Sequence, residues 1–439
     1  MINDFIDIEK PFKGLHEKIH GDRYIWGIVV LLALTSLLVV YSATGSLAYK
    51  MNNGNTEIYL FKQLACILLG LMLIYFLHRI NYTIFSRVSL IIYLISIPLL
   101  IYTLFFGAEI NEGSRWIKLP IINITFQTSD FAKLALFMYL CRQLSRKQNV
   151  IKDFKKGFLP LIIPIALTCV LIMPANLSNA LLTGITALLL LFIGRVSIKH
   201  ILLAIGVALI PVLVLVMIAK ATYSPKADTS VADKTSIAHS LQSYGRVGTW
   251  VSRVQDFMYG GDEDGDYQVN QAKIAIANGS IFYGLGPGNS LQRNYLPQAY
   301  NDFIFSIIVE EYGLLGAAFI IFLYVIFLYR CIRIFRRCPF AFGALLALAL
   351  SFTLVIQALA NMAVNVNLVP VTGVTLPLVS MGGSSFIFTC GSIGIVLSVA
   401  RNVEILEGKK ALANIDNNTV DEAIENGDNN IEAQKTNGY

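Results

Sequence analysis

Carboxylates at the start of an apolar segment are the residues of this chain best suited to chemistry. Residues 292–316 run from a polar loop into a long apolar stretch, with Asp302 where the two meet and Glu310 and Glu311 within the stretch. A carboxylate in a membrane helix costs about 2.5 to 3.5 kcal/mol on insertion scales, so such a residue usually marks a functional site. Three of them so close together predict a binding or reactive site at one end of this segment.

The composition places the chain in a lipid bilayer. Hydrophobic residues are 55% of the 439 and charged residues 14%, with a mean hydropathy of +0.63, as in polytopic membrane proteins. The first apolar run, residues 24–43, is too long for a signal-peptide core and is predicted to remain as an anchor. The six cysteines lack metal-ligand spacing, which argues against a zinc site or a disulfide framework. The net charge of +6 is explained better by membrane orientation than by nucleic-acid binding.

The apolar segments predict an all-α polytopic membrane protein. A span needs about 20 apolar residues, and about ten segments approach this length. They are residues 24–46, 58–77, 84–106, 129–145, 158–174, 178–194, 199–219, 302–329, 341–364 and 382–401. One large extracytoplasmic loop, about residues 220–301, is expected between helices seven and eight, and it is longer than a connector requires. Residues 1–23 form a predicted cytoplasmic segment before the transmembrane domain of residues 24–401, and the acidic tail, residues 402–439, is predicted to be disordered.

Loop charge predicts the orientation. Lysine and arginine concentrate at residues 142–156, 195–199 and 330–337, on the side of the bundle that also holds both termini. Basic loops stay in the cytoplasm, so both termini are predicted to be cytoplasmic. Four polar segments then face outward, which are residues 107–128, 175–177, 220–301 and 365–381.

The outward segments contain most of the unexplained polar sequence. Residues 126–133 read FQTSDFAK, in which Asp130 and Lys133 share a helix face and can pair, either for function or only to stabilise the helix end. Trp116 follows Arg115 in NEGSRWIKLP and could instead be an interfacial anchor. Residues 284–290, GLGPGNS, could cradle a phosphate or form a plain turn.

The last outward segment, residues 370–385, reads PVTGVTLPLVSMGGSS. Irregular backbone at membrane depth is tolerated only beside protein or a polar cavity, so this segment is predicted to line a cleft.

Taken in order, these motifs resemble the SEDS family of shape, elongation, division and sporulation proteins. The resemblance covers residues 24–401 and rests on NEGSRWI, FQTSDFAK, MPANLSNA, the block from YLPQAYNDFIF to EEYGLLG, and PVTGVTLPLVSMGGSS. YGRVGTWVSRVQDF, with Arg253, is most similar to members that act in cell division. The resemblance implies a ten-helix enzyme of the bacterial cytoplasmic (inner) membrane that polymerises lipid II into glycan strands at its outer face. It also implies partners, a class B penicillin-binding protein and other membrane proteins of the division site.

The resemblance also assigns residues. The essential family aspartate of LPxAxxDFIF corresponds to Asp302. The other segments of family interest correspond to Arg115, Trp116, Asp130, Lys133, Ser384 and Ser385, and Gln127 is predicted to support them.

The chain departs from the family pattern at several of these motifs. Asp130 stands where glutamate is usual, and Thr128 replaces a proline. Asn176 replaces an acidic residue, so a role based on charge is absent there. Tyr300 and Asn301 replace the common His-Thr pair before the aspartate, which indicates that those two side chains are not the proton acceptor.

The implied reaction is attack by a sugar hydroxyl on the anomeric carbon of a donor that leaves as a lipid pyrophosphate. Such a site needs one base, for which Asp302 is suited, and general-base help is worth about a hundred- to ten-thousandfold. It also needs positive charge for the phosphates, from Arg115, Lys133, Arg253 or a divalent cation (Mg or Mn) held partly by Asp302. Direct displacement predicts inversion at the anomeric carbon. Glu310, about 12 Å further along a helix, is predicted to support the site rather than share its proton.

Two other classes of function remain open at this stage. Broken helices and intramembrane carboxylates also occur in transporters, so a lipid II flippase is one alternative. A non-catalytic division scaffold is the other. The concentration of polar residues on one side of the membrane favours the enzyme over the transporter.

Overall fold

The computed structural model describes residues 21–52, 55–110, 113–118, 125–222, 246–259 and 263–408. Thirteen helices and a small sheet organise these residues. The helices are α1 (Arg23–Ala43), α2 (Gly45–Asn52), α3 (Glu57–Arg79), α4 (Tyr82–Phe106), α5 (Thr128–Arg146), α6 (Leu159–Ile172), α7 (Leu177–Ile193), α8 (Ile198–Thr222), α9 (Arg246–Tyr259), α10 (Glu263–Asn278), α11 (Ile304–Arg337), α12 (Ala341–Asn365) and α13 (Gly383–Gly408). The strands are β1 (Ala108–Ile110), β2 (Gly113–Lys118) and β3 (Thr125–Gln127).

Eight of the described helical segments are long and apolar enough to cross a membrane. They are α1, α3, α4, the Phe154–Ile172 segment that contains α6, α8, α11, α12 and α13. The two other predicted segments are also helical: α7 has 17 residues, and α5 carries Asp130, Lys133, Arg142 and Arg146. Because α5 is mostly enclosed by its neighbours, it does not need a fully apolar surface toward lipid. The helical membrane fold predicted from the sequence is confirmed.

The helices differ greatly in burial. α12 packs against α5, α7 and α11, and most of α12 and α13 is buried. α13 lies on α3, where Gly70 and Gly394 allow close approach. In contrast, α8 buries only Ile201 and Ala219 and packs mainly against α9. The bundle therefore has a core of α5, α11, α12 and α13, with α8 on its surface.

The two ends of the bundle have different structures. The end that carries the sheet and residues 246–303 is called the loop end, and the opposite end is called the terminal end. At the terminal end, Asp22 is ion-paired with Arg330 at 2.7 Å, and the Gly21 amide donates to Glu404 at 2.8 Å. These contacts join the beginning of α1 to α11 and α13.

The described parts of the predicted outward segment, residues 107–128, contain three strands that form an antiparallel sheet in the order β1-β2-β3. Trp116 pairs with Ala108 on one side and Gln127 on the other. The helical periodicity of the chain did not predict this sheet. It leads directly into α5, so it fixes where Thr128 and Asp130 begin that helix.

Candidate active site

Asp302 lies in a turn, residues 301–303, immediately before α11 begins. Its main-chain carbonyl accepts two hydrogen bonds, from Asn361 Nδ2 at 2.8 Å and Asn365 Nδ2 at 3.0 Å. Both asparagines are about 1% exposed and lie one turn apart on α12. The position of Asp302 is thus set by two buried amides that hold its backbone.

Asn365 also caps the helix that follows. Its Oδ1 accepts from the amide of Ser306 at 3.0 Å and from the Ser306 hydroxyl at 2.7 Å. The first amides of a helix have no partner within it, and here a side chain of α12 supplies one. The direction in which α11 leaves the turn is therefore tied to α12.

The irregular segment between α12 and α13 supports the other side of the turn. Ser380 Oγ donates to the Asn301 carbonyl at 2.6 Å, and the Met381 amide donates to the Tyr300 carbonyl at 3.0 Å. The segment is itself held by α12, since Asn361 Nδ2 donates to the Val374 carbonyl at 2.7 Å. Residues 366–382 thus lie beside the Asp302 turn.

The Asp302 side chain is partly exposed, although its Oδ1 atom is shielded from solvent. The next residue, Phe303, is 1% exposed and anchors the turn in the core. The carboxylate therefore lies at the border between the packed bundle and the surroundings of the loop end. A large substrate could reach a carboxylate in this position.

Asp130 and Lys133 form a second polar centre. Lys133 Nζ lies 2.7 Å from Asp130 Oδ1, and both side chains are buried. They line a cleft between α5, α12 and α13 that also contains Gln357 and Ser385. Gln357 Nε2 donates to the Thr375 carbonyl at 3.1 Å, so the ion pair and the Asp302 turn border the same irregular segment.

The serines at the start of α13 meet the sheet. Ser384 Oγ accepts from the Gln127 amide at 3.1 Å, and Gln127 Nε2 donates to Ser129 Oγ at 3.1 Å. Gln127 and Ser384, both predicted site residues, thus join β3 to α13, and Ser385, the next residue, lines the Asp130–Lys133 cleft.

The remaining predicted site residues have different surroundings. Arg253, on α9, donates to the Val371 carbonyl at 3.4 Å, next to the irregular segment. Trp116 lies on β2 and is partly buried. Arg115 also lies on β2, but its side chain is outside the described part of the structure.

Glu310 and Glu311 are fully buried, at 0% and 1% exposure, where α11 breaks. Gly313 has φ +68 and ψ −172, which is not helical. The carbonyls of Glu310 and Glu311 accept instead from the amides of Leu285 and Gly286 at 2.9 and 3.0 Å. The Gly-rich stretch of residues 284–290 is therefore a strap on the break of α11.

The two carboxylates of the break accept hydrogen bonds from the strap and from α1. Ser290 Oγ donates to Glu310, Asn278 Nδ2 donates to Glu310 at 3.2 Å, and Ser42 Oγ donates to Glu311. The Ser290 amide donates to Glu311 at 3.3 Å. Since α11 begins only at Ile304, the helical estimate of 12 Å between Asp302 and Glu310 does not apply.

Sequence reasoning missed the residues that hold the site in place: Gln357, Asn361, Asn365 and Ser380. The signal was present, because QALANMAVN places three amides four residues apart on one face of an apolar helix. Buried side-chain amides need hydrogen-bond partners. This face of the helix is therefore expected to pack against backbone whose carbonyls are not used within a helix.

The fold and the site together define a class, helical membrane proteins with an acidic turn at the loop end of a broken helix. This chain belongs to the FtsW/RodA/SpoVE family of cell cycle proteins, which it matches over residues 22–405. Two of its relatives carry the name probable peptidoglycan glycosyltransferase FtsW. The protein from Hydrogenovibrio crunogenus is 31% identical over 86% of this chain and 91% of the relative. The one from Bacillus subtilis is 29% identical over 87% of this chain and 91% of the relative.

Solved structures share the fold. A chain of a peptidoglycan synthase complex, solved to describe the coordination of polymerization and crosslinking, is 24% identical with a TM-score of 0.64, covering 87% of this chain and 98% of that chain. The rod shape determining protein RodA of Thermus thermophilus is 21% identical with a TM-score of 0.61, covering 87% and 97%.

Proposed function

We propose that this protein is a peptidoglycan glycosyltransferase that polymerises lipid II during division of a bacterial cell. The observation that carries the proposal is Asp302, a partly exposed carboxylate whose backbone is held by two buried asparagines at the loop end. The names of the relatives support the same activity. The basic residues at the terminal end support an outward-facing site with both termini in the cytoplasm.

The reaction forms one bond and breaks one bond at the anomeric carbon of the donor. Asp302 accepts the proton of the acceptor hydroxyl. At the same time the hydroxyl oxygen attacks the anomeric carbon, and the bond from that carbon to the lipid pyrophosphate breaks. The leaving group takes the electron pair and needs no proton. A single displacement inverts the anomeric carbon, so an α-linked donor gives a β-linked strand.

The phosphates of lipid II need positive charge as the bond breaks. Lys133 is neutralised by Asp130, and Arg253 donates to a main-chain carbonyl. Both lie near the irregular segment, where they can orient the donor. Arg115, on β2, remains a predicted phosphate ligand.

A divalent cation such as Mg²⁺ or Mn²⁺ is a candidate partner of Asp302. Mg²⁺ is usually held by one or two carboxylates together with substrate phosphates and water. Among the described residues, no group of three or more His, Cys, Asp or Glu side chains is placed to hold an ion, which is compatible with this shared mode. A cation there would stabilise the departing pyrophosphate. Polymerisation before and after chelation, with each metal restored in turn, tests it.

A class B penicillin-binding protein is the proposed partner, and it would crosslink the strands. Likeness to a chain of a peptidoglycan synthase complex supports this part of the proposal. The decisive experiment reconstitutes the purified protein with lipid II and that partner, and compares it with Asp302→Asn, which keeps the size of the side chain. We expect polymer from the wild type and a loss of about a hundredfold or more in the variant.

Other outcomes would support the alternatives. Lipid movement across the vesicle without polymer would indicate a flippase. Polymer that forms equally with Asp302→Asn would exclude Asp302 as the base, and neither polymer nor movement would indicate a scaffold.

A further inference from the structure

The loop end of α3 lies opposite the Asp302 turn, although no predicted site residue is on that helix. A series of hydrogen bonds joins them. Gln63 Nε2 donates to Ser36 Oγ at 2.7 Å, and Ser36 Oγ donates to the Val379 carbonyl at 2.8 Å. Two residues later, Met381 binds the Tyr300 carbonyl, which is two positions from Asp302. The first helical turns of α3 are therefore fixed relative to the loop turn that contains Asp302.

Tyr300, whose carbonyl ends this series, is partly buried and packs against the core of the bundle. Burial raises the pKa of Tyr300, and the charges of Tyr59 and Asp302 raise it further. Tyr59 lies in the first turn of α3 and is only 6% exposed. Tyr59 and Gln63 lie four residues apart on one face of α3, and Gln63 begins the hydrogen-bond series to the Asp302 turn. α3 thus presents an aromatic wall, Tyr59, on the face that is joined to this turn.

Lys62 extends that wall with a cation. Its side chain is exposed, and its Nζ lies 5.4 Å from the centroid of the Tyr59 ring. An ammonium near an aromatic face is held in place electrostatically, yet its N–H donors stay available to an anion. Two other cations of the loop end have partners already: Lys133 pairs with Asp130, and Arg293 donates to the Gly288 carbonyl at 2.7 Å.

We propose that the loop end of α3 is the second wall of the substrate site and that Lys62 binds the pyrophosphate of the lipid donor. The proposal rests on the proposed function, because it names a donor contact of that reaction. It assigns Tyr59 to hold Lys62, and it places the phosphates on the α3 side of Asp302.

The test measures binding separately from catalysis. Undecaprenyl pyrophosphate is titrated into the purified full chain in nanodiscs, in an Asp302→Asn background that prevents turnover. A charge-assisted contact to phosphate predicts that Lys62→Met weakens binding by about tenfold or more. Lys62→Arg keeps the charge and should stay within about threefold of the parent. Lys273→Met, which removes an exposed lysine of α10, is the matched control.

Unchanged binding in Lys62→Met would overturn the proposal, and so would an equal loss in Lys273→Met, which would indicate only general attraction. Should Lys62→Met not fold, as judged by its thermal unfolding, Lys62→Gln is read by the same criteria. The result is independent of the proposed function, which fails if the wild-type protein with its partner makes no polymer from lipid II in the reconstituted assay.

Discussion

The turn at Asp302 and the break at Gly313 lie close together in the sequence, yet their carboxylates differ in burial and in hydrogen bonding. At the break, Glu310 and Glu311 are fully buried and accept hydrogen bonds from serine and asparagine side chains. At the turn, the main chain of Asp302 is held and its side chain is partly exposed. The carboxylates of the break are structural hydrogen-bond acceptors, whereas the turn positions the Asp302 carboxylate for its proposed role as a general base.

This difference separates residues that lie close together in the sequence. The three acidic residues predicted a site at one end of the segment, with Asp302 as the base and Glu310 in a supporting role. A buried carboxylate with several donors is costly to disturb, and such a group contributes to the shape of the protein. The comparison therefore predicts that changes at the break reduce stability, while changes at the turn reduce activity.

The largest effect on stability is expected at the strap. A Cβ on Gly284 would overlap the main chain of Glu311, which cannot move without separating the strap from α11. Gly284→Ala should cost about 3 kcal/mol or more, the upper range for overpacking, and lower the thermal midpoint in detergent. Gly206→Ala on α8, where a Cβ meets nothing within 4 Å, should leave the midpoint unchanged or slightly raised. Equal midpoints would contradict the role of the strap.

At the turn, the largest effect on activity after Asp302 itself is expected from Asn365. Asn365→Ala removes both the cap on Ser306 and one bond to the Asp302 carbonyl. A displacement of about 1 Å at a reacting group can cost a hundredfold in rate, so lipid II polymerisation should fall by about that factor. Asn402→Ala at the terminal end is the control, since its side chain binds only Ser398 of its own helix. A variant that loses stability but keeps its rate would show that Asn365 is structural only.

Glu310→Gln tests whether the buried carboxylates at the break are structural, and its expected effect is smaller than that of the preceding variants. Asn278 donates to Oε1 and Ser290 to Oε2, so glutamine keeps an oxygen for only one of these donors and we expect a loss of about 1 to 2 kcal/mol in stability. Polymerisation by the folded protein should stay within about threefold of the wild type. A rate loss like that of Asp302→Asn would place Glu310 in the reaction instead.

The smallest effect is expected from Arg253→Lys. The bond from Arg253 to the Val371 carbonyl is long, at 3.4 Å, and bonds of that length are weak. We expect a change in stability below about 1 kcal/mol and little change in rate. A large increase in KM for lipid II would show that the guanidinium binds the donor in a bidentate manner that lysine cannot reproduce.

Much of the architecture could be predicted from the sequence. Apolar length located the helices, and the spacing of Asp130 and Lys133 indicated their pairing, because both features depend on local periodicity. The sheet of residues 108–127 could not be predicted in this way, since its strands are short and its register depends on contacts with α4 and α5.

The function of the polar residues was harder to predict. Sequence position suggested that Glu310 serves the site and that residues 284–290 could bind phosphate. Only the fold shows that these two groups bind each other across the break at Gly313. Likewise, Asn361 and Asn365 donate to the carbonyl of Asp302, some 60 residues earlier in the sequence. A local sequence pattern does not predict contacts over such a separation.

The hold on Asp302 acts through a carbonyl oxygen, an atom that all twenty amino acids share. Its neighbours Tyr300 and Asn301 are likewise gripped by their carbonyls. The backbone path of the loop therefore depends little on the side chain at position 302, and alternative acids or nucleophiles can be installed there by design.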